Sequence, residues 1–334
     1  MTADTAVSPS RLVDRDASLS PQEMVEHLVP PRQFAAAALD NYRPDRDYPS
    51  QGAAVAAMRT FAGGAKGGGL FRRAPATKPG IYLDGGFGVG KTHLLAAVWH
   101  LSKGRKYFGT FIEYTALVGA LGYAQALATL KGASLLAIDE FELDDPGDTR
   151  LMARLLGELA ASGTRIAATS NTPPNALGEG RFAAQDFLRE IDSLAARFET
   201  VRIDGLDYRR RDVQANARVS ADVPAQLRGV DGEVTLDAFD DVLAHLASVH
   251  PSRFVKLVEG LAAVGLTGVH PFANQTDALR FVAFVDRLYD ARVRIVADGT
   301  PLDQVFPEDM LNGGYRKKYL RAISRLIALT TGTE

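Results

Sequence analysis

Short apolar runs and longer helical stretches alternate along the middle of this chain. Apolar runs at 81–84, 108–113, 134–139, 165–170 and 200–204 read as buried strands. Helical stretches lie between them, so the pattern is βαβ and predicts a mostly parallel sheet flanked by helices. Ahead of the first strand, Ser20-Pro21-Gln22-Glu23 reads as a helix start, with Ser20 as N-cap, Pro21 at N1 and Glu23 at N3. A turn-rich stretch at 42–51 precedes a helix over 51–61, and glycines crowd 63–69 as a flexible linker. Gly178 to Gly180 marks a loop, and a helix is expected over 185–198. Beyond 210 helices are expected at 235–248, 251–264, 276–290 and 315–330, with a strand at 293–297, which makes the C-terminal region mainly helical. The spacing of Met152, Leu155, Leu156 and Leu159 is echoed by Phe281, Phe284, Val285 and Leu288, each set followed by Arg-Ile. The echo reads either as a silent helix–strand unit extending the sheet or as coincidence among amphipathic helices.

The chain has 334 residues, enough for one large or two ordinary domains. The expected division is a disordered tail over 1–20, a core over 21–208 and a lid-like region over 209–334. A hydrophobic share of 46% is that of a globular protein, and a net charge of −2 provides no global attraction for nucleic acid or anionic membrane. Cysteine is absent, which excludes disulfides and thiolate metal sites and fits a cytoplasmic chain. No apolar run approaches the ~20 residues of a membrane span, and the first 20 residues lack the basic start and apolar stretch of a signal peptide.

Between the first apolar run and the helix that follows lies Gly85-Gly86-Phe87-Gly88-Val89-Gly90-Lys91-Thr92, which fits G-x-x-x-x-G-K-[ST] at every position. Strand, glycine loop and helix together are the arrangement that cradles nucleotide phosphates on backbone N–H groups. Lys91 suits the β/γ-phosphates, and the Thr92 hydroxyl suits Mg²⁺. His93 completes the stretch expected to meet the nucleotide, more as packing than as chemistry. Ser134 to Glu140 is an apolar strand from whose C-terminal end two acids emerge. Ligands of open parallel sheets bind at that edge. Asp139 is the candidate metal ligand beside Thr92, and Glu140 the candidate base for the attacking water. A helix-capping acidic pair is the bland alternative. Asn171 closes the next strand and is placed to donate to the γ-phosphate or the water, or simply to form a turn before Pro173-Pro174. Arg197 fits an arginine finger directed into a neighbouring subunit or an ordinary helix-terminal arginine. Arg325 fits a lid contact to the γ-phosphate or one charge of a solvated basic helix face. The six histidines have no metal-ligand spacing, and the basic runs at 209–211 and 316–318 lack interleaved aromatics, so nucleic acid is a minority reading.

With these motifs in order, the chain resembles AAA+ ATPases, and most closely the ZapE family of AAA+ proteins. Tyr42-Arg43-Pro44-Asp45 with Tyr48-Pro49-Ser50-Gln51, Asp139-Glu140-Phe141, Ala168-Thr169-Ser170-Asn171 with Pro174 and Leu177, and Phe187-Leu188 through Asp207-Tyr208-Arg209 carry the likeness. Arg280-Phe281, Asp286-Arg287-Leu288-Tyr289-Asp290 and Ser324-Arg325-Leu326 continue it. The segment after Phe111-Ile112 is shorter than the family's, and Arg197-Phe198 stands where relatives often carry His-Cys. The resemblance implies a P-loop NTPase fold, ATP and Mg²⁺ as cofactors, an adenine pocket lined by Tyr42 and Pro44, and a homo-oligomer. It also implies a protein client linked to cell division through the tubulin-like protein FtsZ, or a role in protein quality control. A DNA-linked protein of the helicase-loader type and a nucleotide-gated module with negligible hydrolysis are the competing readings. Tyr114 and Tyr123 are candidates for pore-loop residues, with core packing as the equal alternative.

Overall fold

A computed structural model describes residues 9–63, 78–141, 146–173, 192–193, 195–206 and 216–332. The linker after Gly63, the loop at 178–180, the basic run at 209–211, and most of the helix expected over 185–198 lie outside them. The family-like residues Pro174, Leu177, Phe187, Leu188 and Asp207 to Arg209 do as well. The chain divides into two compact units. Ser20–Tyr208 forms one, and Met1–Leu19 together with Arg209–Glu334 forms the other.

The first unit runs α1 (Pro21–Glu26), α2 (Pro49–Gly63), β1 (Gly80–Gly85), α3 (Lys91–Leu101), β2 (Lys106–Thr110), α4 (Phe111–Leu121), α5 (Tyr123–Leu130), β3 (Leu135–Asp139), α6 (Pro146–Ala161), β4 (Arg165–Ser170) and β5 (Phe198–Ile203). The five strands are parallel, in the order β2-β3-β4-β1-β5. Side chains alternate across the sheet, so the apolar strands feed two cores. Ile81, Leu83, Ala137 and Ala167 pack with α2 and α3, while Tyr82, Ile138, Ile166 and Ala168 pack with α4 and α6. This is the P-loop NTPase sheet flanked by helices. The strand expected over 108–113 stops at Thr110, because Thr110 and Glu113 form a capping box. The Glu113 N–H donates to Thr110 Oγ1 at 3.3 Å, and the Thr110 N–H donates to Glu113 Oε2 at 2.6 Å. At α1 the expected capping box between Ser20 and Glu23 is present.

The second unit holds α7 (Val223–Arg228), β6 (Glu233–Ala238), α8 (Phe239–Ser248), α9 (Phe254–Val258), β7 (Leu261–Val269), α10 (Gln275–Ala291), β8 (Arg294–Gly299), α11 (Glu308–Asn312) and α12 (Arg316–Thr331). Helices predominate, but β6, β7 and β8 form a parallel sheet of their own, in that order. Three expectations change here. The helix read over 235–248 begins only at Phe239, because residues 235–238 belong to β6. The helix read over 251–264 is a short helix ending at Val258, followed by the central strand β7. The echoed helix–strand pair, α10 and β8, does not extend the first sheet, because β8 pairs with β7. All four echoed apolar residues of each copy are nonetheless fully buried.

Residues 9–19 are not a loose tail either. Ser10 bridges Thr235, its N–H donating to the Val234 carbonyl at 3.2 Å, and the Leu236 N–H returns a bond to Ser10 at 2.9 Å. Leu12 is fully buried, and its N–H donates to Asp237 Oδ2 at 2.7 Å. An open edge strand offers unpaired N–H and C=O groups, and Ser10 satisfies two of those of β6, the Val234 carbonyl and the Leu236 N–H. Among the described residues no helix is long and apolar enough to cross a membrane.

Candidate nucleotide-binding site

Parallel pairing brings the C-terminal ends of β1, β3 and β4 to one edge, and the expected nucleotide residues gather there. The glycine loop leaves β1 at Gly85, where a Cβ would lie 2.2 Å from the Ile203 carbonyl oxygen. Gly88 and Gly90 adopt φ of 67° and 84°, a backbone that side chains disfavour. Val89 is buried and pins the loop to the core beneath it, and Phe87 is half-buried. α3 then starts at Lys91, so its positive end faces the loop.

Lys91 is buried, and its ammonium donates to the carbonyls of Gly85 at 2.9 Å and Gly86 at 2.5 Å, and to Asn171 Oδ1 at 3.0 Å. Sheet edge and loop therefore meet at one cation. Thr92 Oγ1 donates to the Asp139 carboxylate, 3.0 Å from Oδ2 and 3.2 Å from Oδ1. Thr169, at the end of β4, also donates its hydroxyl to Asp139 Oδ1. Glu140 follows with φ 52°, a left-handed conformation that is uncommon for a residue with a side chain. Its N–H donates to Thr169 Oγ1 at 3.1 Å, and the next N–H, of Phe141, donates to the Thr169 carbonyl at 2.7 Å. Phe141 is fully buried against Tyr82, Phe111 and Phe198.

Other expected residues lie elsewhere or act differently. The Tyr42 ring packs on the loop, where a Cβ on Gly90 would come within 2.5 Å of it, and its hydroxyl donates to the Val89 carbonyl at 2.6 Å. Burial pushes its phenol up to about 12. Tyr42 thus buttresses the loop, and Pro44 is exposed. His93 leans on Tyr42 with ring centroids 5.9 Å apart, and its Nε2 lies 3.0 Å from the Ala38 carbonyl oxygen. Arg197 is not brought to the loop of its own chain. It directly precedes β5, beside Gly80 at the start of β1, whereas the loop begins five residues further along. At ~3.3 Å per residue the two ends of these strands are roughly 16 Å apart. Its guanidinium lies against Gly157 of α6.

Arg325 is engaged within its own unit. It and Arg321 both pair with Asp286, Arg321 at 2.6 Å, and its guanidinium carbon lies 5.0 Å from the centre of the Tyr289 ring. Burial raises the Asp286 carboxyl, but Arg321 and Arg325 outweigh it and hold the group below its ordinary value. Tyr114 is fully buried and donates to the Ala137 carbonyl at 3.1 Å, so it is a core residue. Tyr123 donates to Glu158 at 2.9 Å and stacks under Arg154.

Sequence reasoning gave no role to three groups beside the loop. Thr169 has the signal of sitting two residues before Asn171 on a strand, and so on the same face. Asp84, buried one residue ahead of Gly85, pairs with Arg202 at 2.8 Å, and the register that sets Asp84 beside Arg202 would have shown it. Gln51 is buried, accepts from the Asp45 N–H at 2.8 Å and donates to the Asp204 carbonyl at 3.0 Å.

A family model described as AFG1-like ATPase matches residues 19–228 and 220–333. The chain belongs to the AFG1-like ATPase family. Among curated relatives of this ATPase, cell division protein ZapE of Escherichia coli K12 is 27% identical over 293 residues, which is 74% of this chain and 76% of the relative. Lactation elevated protein 1 homolog B of Danio rerio is 23% identical over 72% of this chain and 59% of its own length. Among solved structures, replication initiator DnaA bound to AMPPCP and single-stranded DNA is similar at TM-score 0.41 and 17% identity, covering 52% of this chain and 51% of that one.

Proposed function

We propose that this AFG1-like ATPase binds ATP with Mg²⁺ at the C-terminal edge of the first sheet and hydrolyses it. Lys91 neutralises the β/γ-phosphates. The Thr92 hydroxyl and the Asp139 carboxylate are hard oxygen ligands set side by side, the donor type Mg²⁺ takes, and they would hold it. Held there, Mg²⁺ would supply charge neutralisation to the phosphates. Glu140 accepts the proton of the attacking water, and Asn171 orients that water or the γ-phosphate. Arg197, far from its own loop, serves a neighbouring copy in an oligomer. The energy of the cycle remodels a protein client. The cell-division name of one relative supports a client in the division machinery, and FtsZ is the partner that the resemblance implies.

The observation that carries the reading is the convergence of Lys91 with Asn171 and of Thr92 with Asp139, from three separate strand ends, on one edge. Steady-state phosphate release with ATP and Mg²⁺ tests it. Lys91→Ala is expected to lose nucleotide affinity. Glu140→Gln is expected to keep binding and lose ~10²-fold or more in turnover, the usual worth of a positioned base. Equal rates in Glu140→Gln and wild type refute the assignment of Glu140.

A further inference from the structure

We infer that Thr169 is a positioning residue for hydrolysis, through which one hydroxyl sets both acids of the site at once. The inference rests on the ATPase reading and adds to it a residue with no assigned role. A threonine hydroxyl has one proton to donate and can also accept. Here the proton goes to Asp139 Oδ1, and the oxygen accepts the Glu140 N–H at 3.1 Å. The first bond fixes the carboxylate that faces Thr92. The second, with the Phe141 N–H bond to the Thr169 carbonyl at 2.7 Å, holds the chain where it turns through φ 52° at Glu140.

Left-handed backbone at a residue with a side chain persists only where neighbours over-determine it. Thr169 supplies two of the fixed points, and the buried Phe141 ring supplies the third. The residue is itself only 1% exposed, so its hydroxyl has no bulk-water competitor. It neither reaches the substrate nor replaces a ligand. Losing it leaves Lys91 and the glycine loop intact but removes one of the two hydroxyls that hold Asp139 and loosens the turn that aims Glu140.

The test compares wild type, Thr169→Val, Thr169→Ala and Thr169→Ser in three readouts: affinity for a fluorescent ATP analogue, kcat and KM for ATP, and the Mg²⁺ concentration giving half-maximal rate. Valine keeps the branched shape and removes the hydroxyl. Thr169→Val is expected to bind the analogue within about 3-fold of wild type. Its kcat should fall by ~10–100-fold, with a raised Mg²⁺ requirement, the range seen when groups orienting a metal ligand are removed. Thr169→Ala should behave alike, which covers a valine variant that does not fold. Thr169→Ser, keeping donor and acceptor, should recover most of kcat. Wild-type kcat in Thr169→Val or Thr169→Ala overturns the inference, and so does a serine variant as slow as valine. A wild type without turnover overturns the ATPase reading itself, and the inference with it.

Discussion

At residue scale the glycine loop is held by what its glycines lack. Gly90 combines φ 84° with a tyrosine ring standing 2.5 Å from where its Cβ would be. Two separate costs therefore attach to Gly90→Ala. The left-handed backbone costs about 1–2 kcal/mol, and the clash with Tyr42 adds to it. ATP affinity is expected to fall at least ~10-fold, since 1.4 kcal/mol is already a factor of ten. The double variant Gly90→Ala with Tyr42→Ala removes the clash together with the Tyr42 bond to the Val89 carbonyl and leaves the backbone cost in place, so it should recover part of that loss and no more. Isothermal titration with ATP measures both, and full recovery in the double variant would assign the whole cost to the ring. The motif was legible because each of its residues has a chemical reason that sequence alone displays. The part played by Tyr42 was not, because an aromatic before a glycine loop has the same pattern whether it stacks on a base or supports the loop.

At the scale of elements the sequence displayed the first sheet well and the second poorly. β1, β3 and β4 are apolar runs bounded by glycine, serine or acids, and length alone separates them from helices. β7 has the same composition, Leu261-Ala262-Ala263-Val264-Gly265-Leu266, but only Glu259 and Gly260 separate it from the helix before it. A buried strand and a buried helix segment cannot be told apart by apolar pattern there. The available signal was glycine. Gly260 has φ 77° just after the helix, and Gly265 meets Leu227 and Leu236 where a Cβ would come within 2.5 Å of Leu227.

α10 and α12 are joined by Asp286, whose side chain is 15% exposed and pairs with both Arg321 and Arg325. Asp286→Asn leaves two largely buried guanidinium groups without their counter-ion, a change that costs about 3–5 kcal/mol. Because the folded carboxyl is held low, its contribution is fully present above its unfolded pKa and is lost as pH falls through the folded one. The stability gap between wild type and Asp286→Asn, taken from urea melts, should therefore be wide at neutral pH and close in acid below about pH 4. A gap that stays constant across that window would remove the ion pair as its source.

At the scale of the molecule, residues 9–19 and 216–332 belong to one unit, with the unit Ser20–Tyr208 between them in sequence. The polar composition of the first residues hid this, because the buried Leu12, with Val13 and Ala17 packed beside it, and a few backbone bonds do the anchoring. Arg11 adds pairs to Asp237 at 3.2 Å and Asp241 at 2.5 Å, though its side chain is 46% exposed and such pairs are worth little each. Burial of Leu12 against the core that contains Phe239, Val242 and Leu266 is the larger effect. Leu12→Ala is expected to cost about 2–5 kcal/mol, the range for a leucine removed from a core. That cost belongs to the unit built on β6, β7 and β8, whereas every residue proposed to handle phosphate lies in the other unit. Calorimetry should then show an early transition moved to lower temperature. ATP and Mg²⁺ should still raise the melting of the remaining transition as they do in wild type, because ligand stabilises only the unit that binds it. If Leu12→Ala instead weakened ATP affinity as much as it lowered the early transition, the N-terminal segment would be part of the nucleotide site's support rather than a segment bridged to β6 alone.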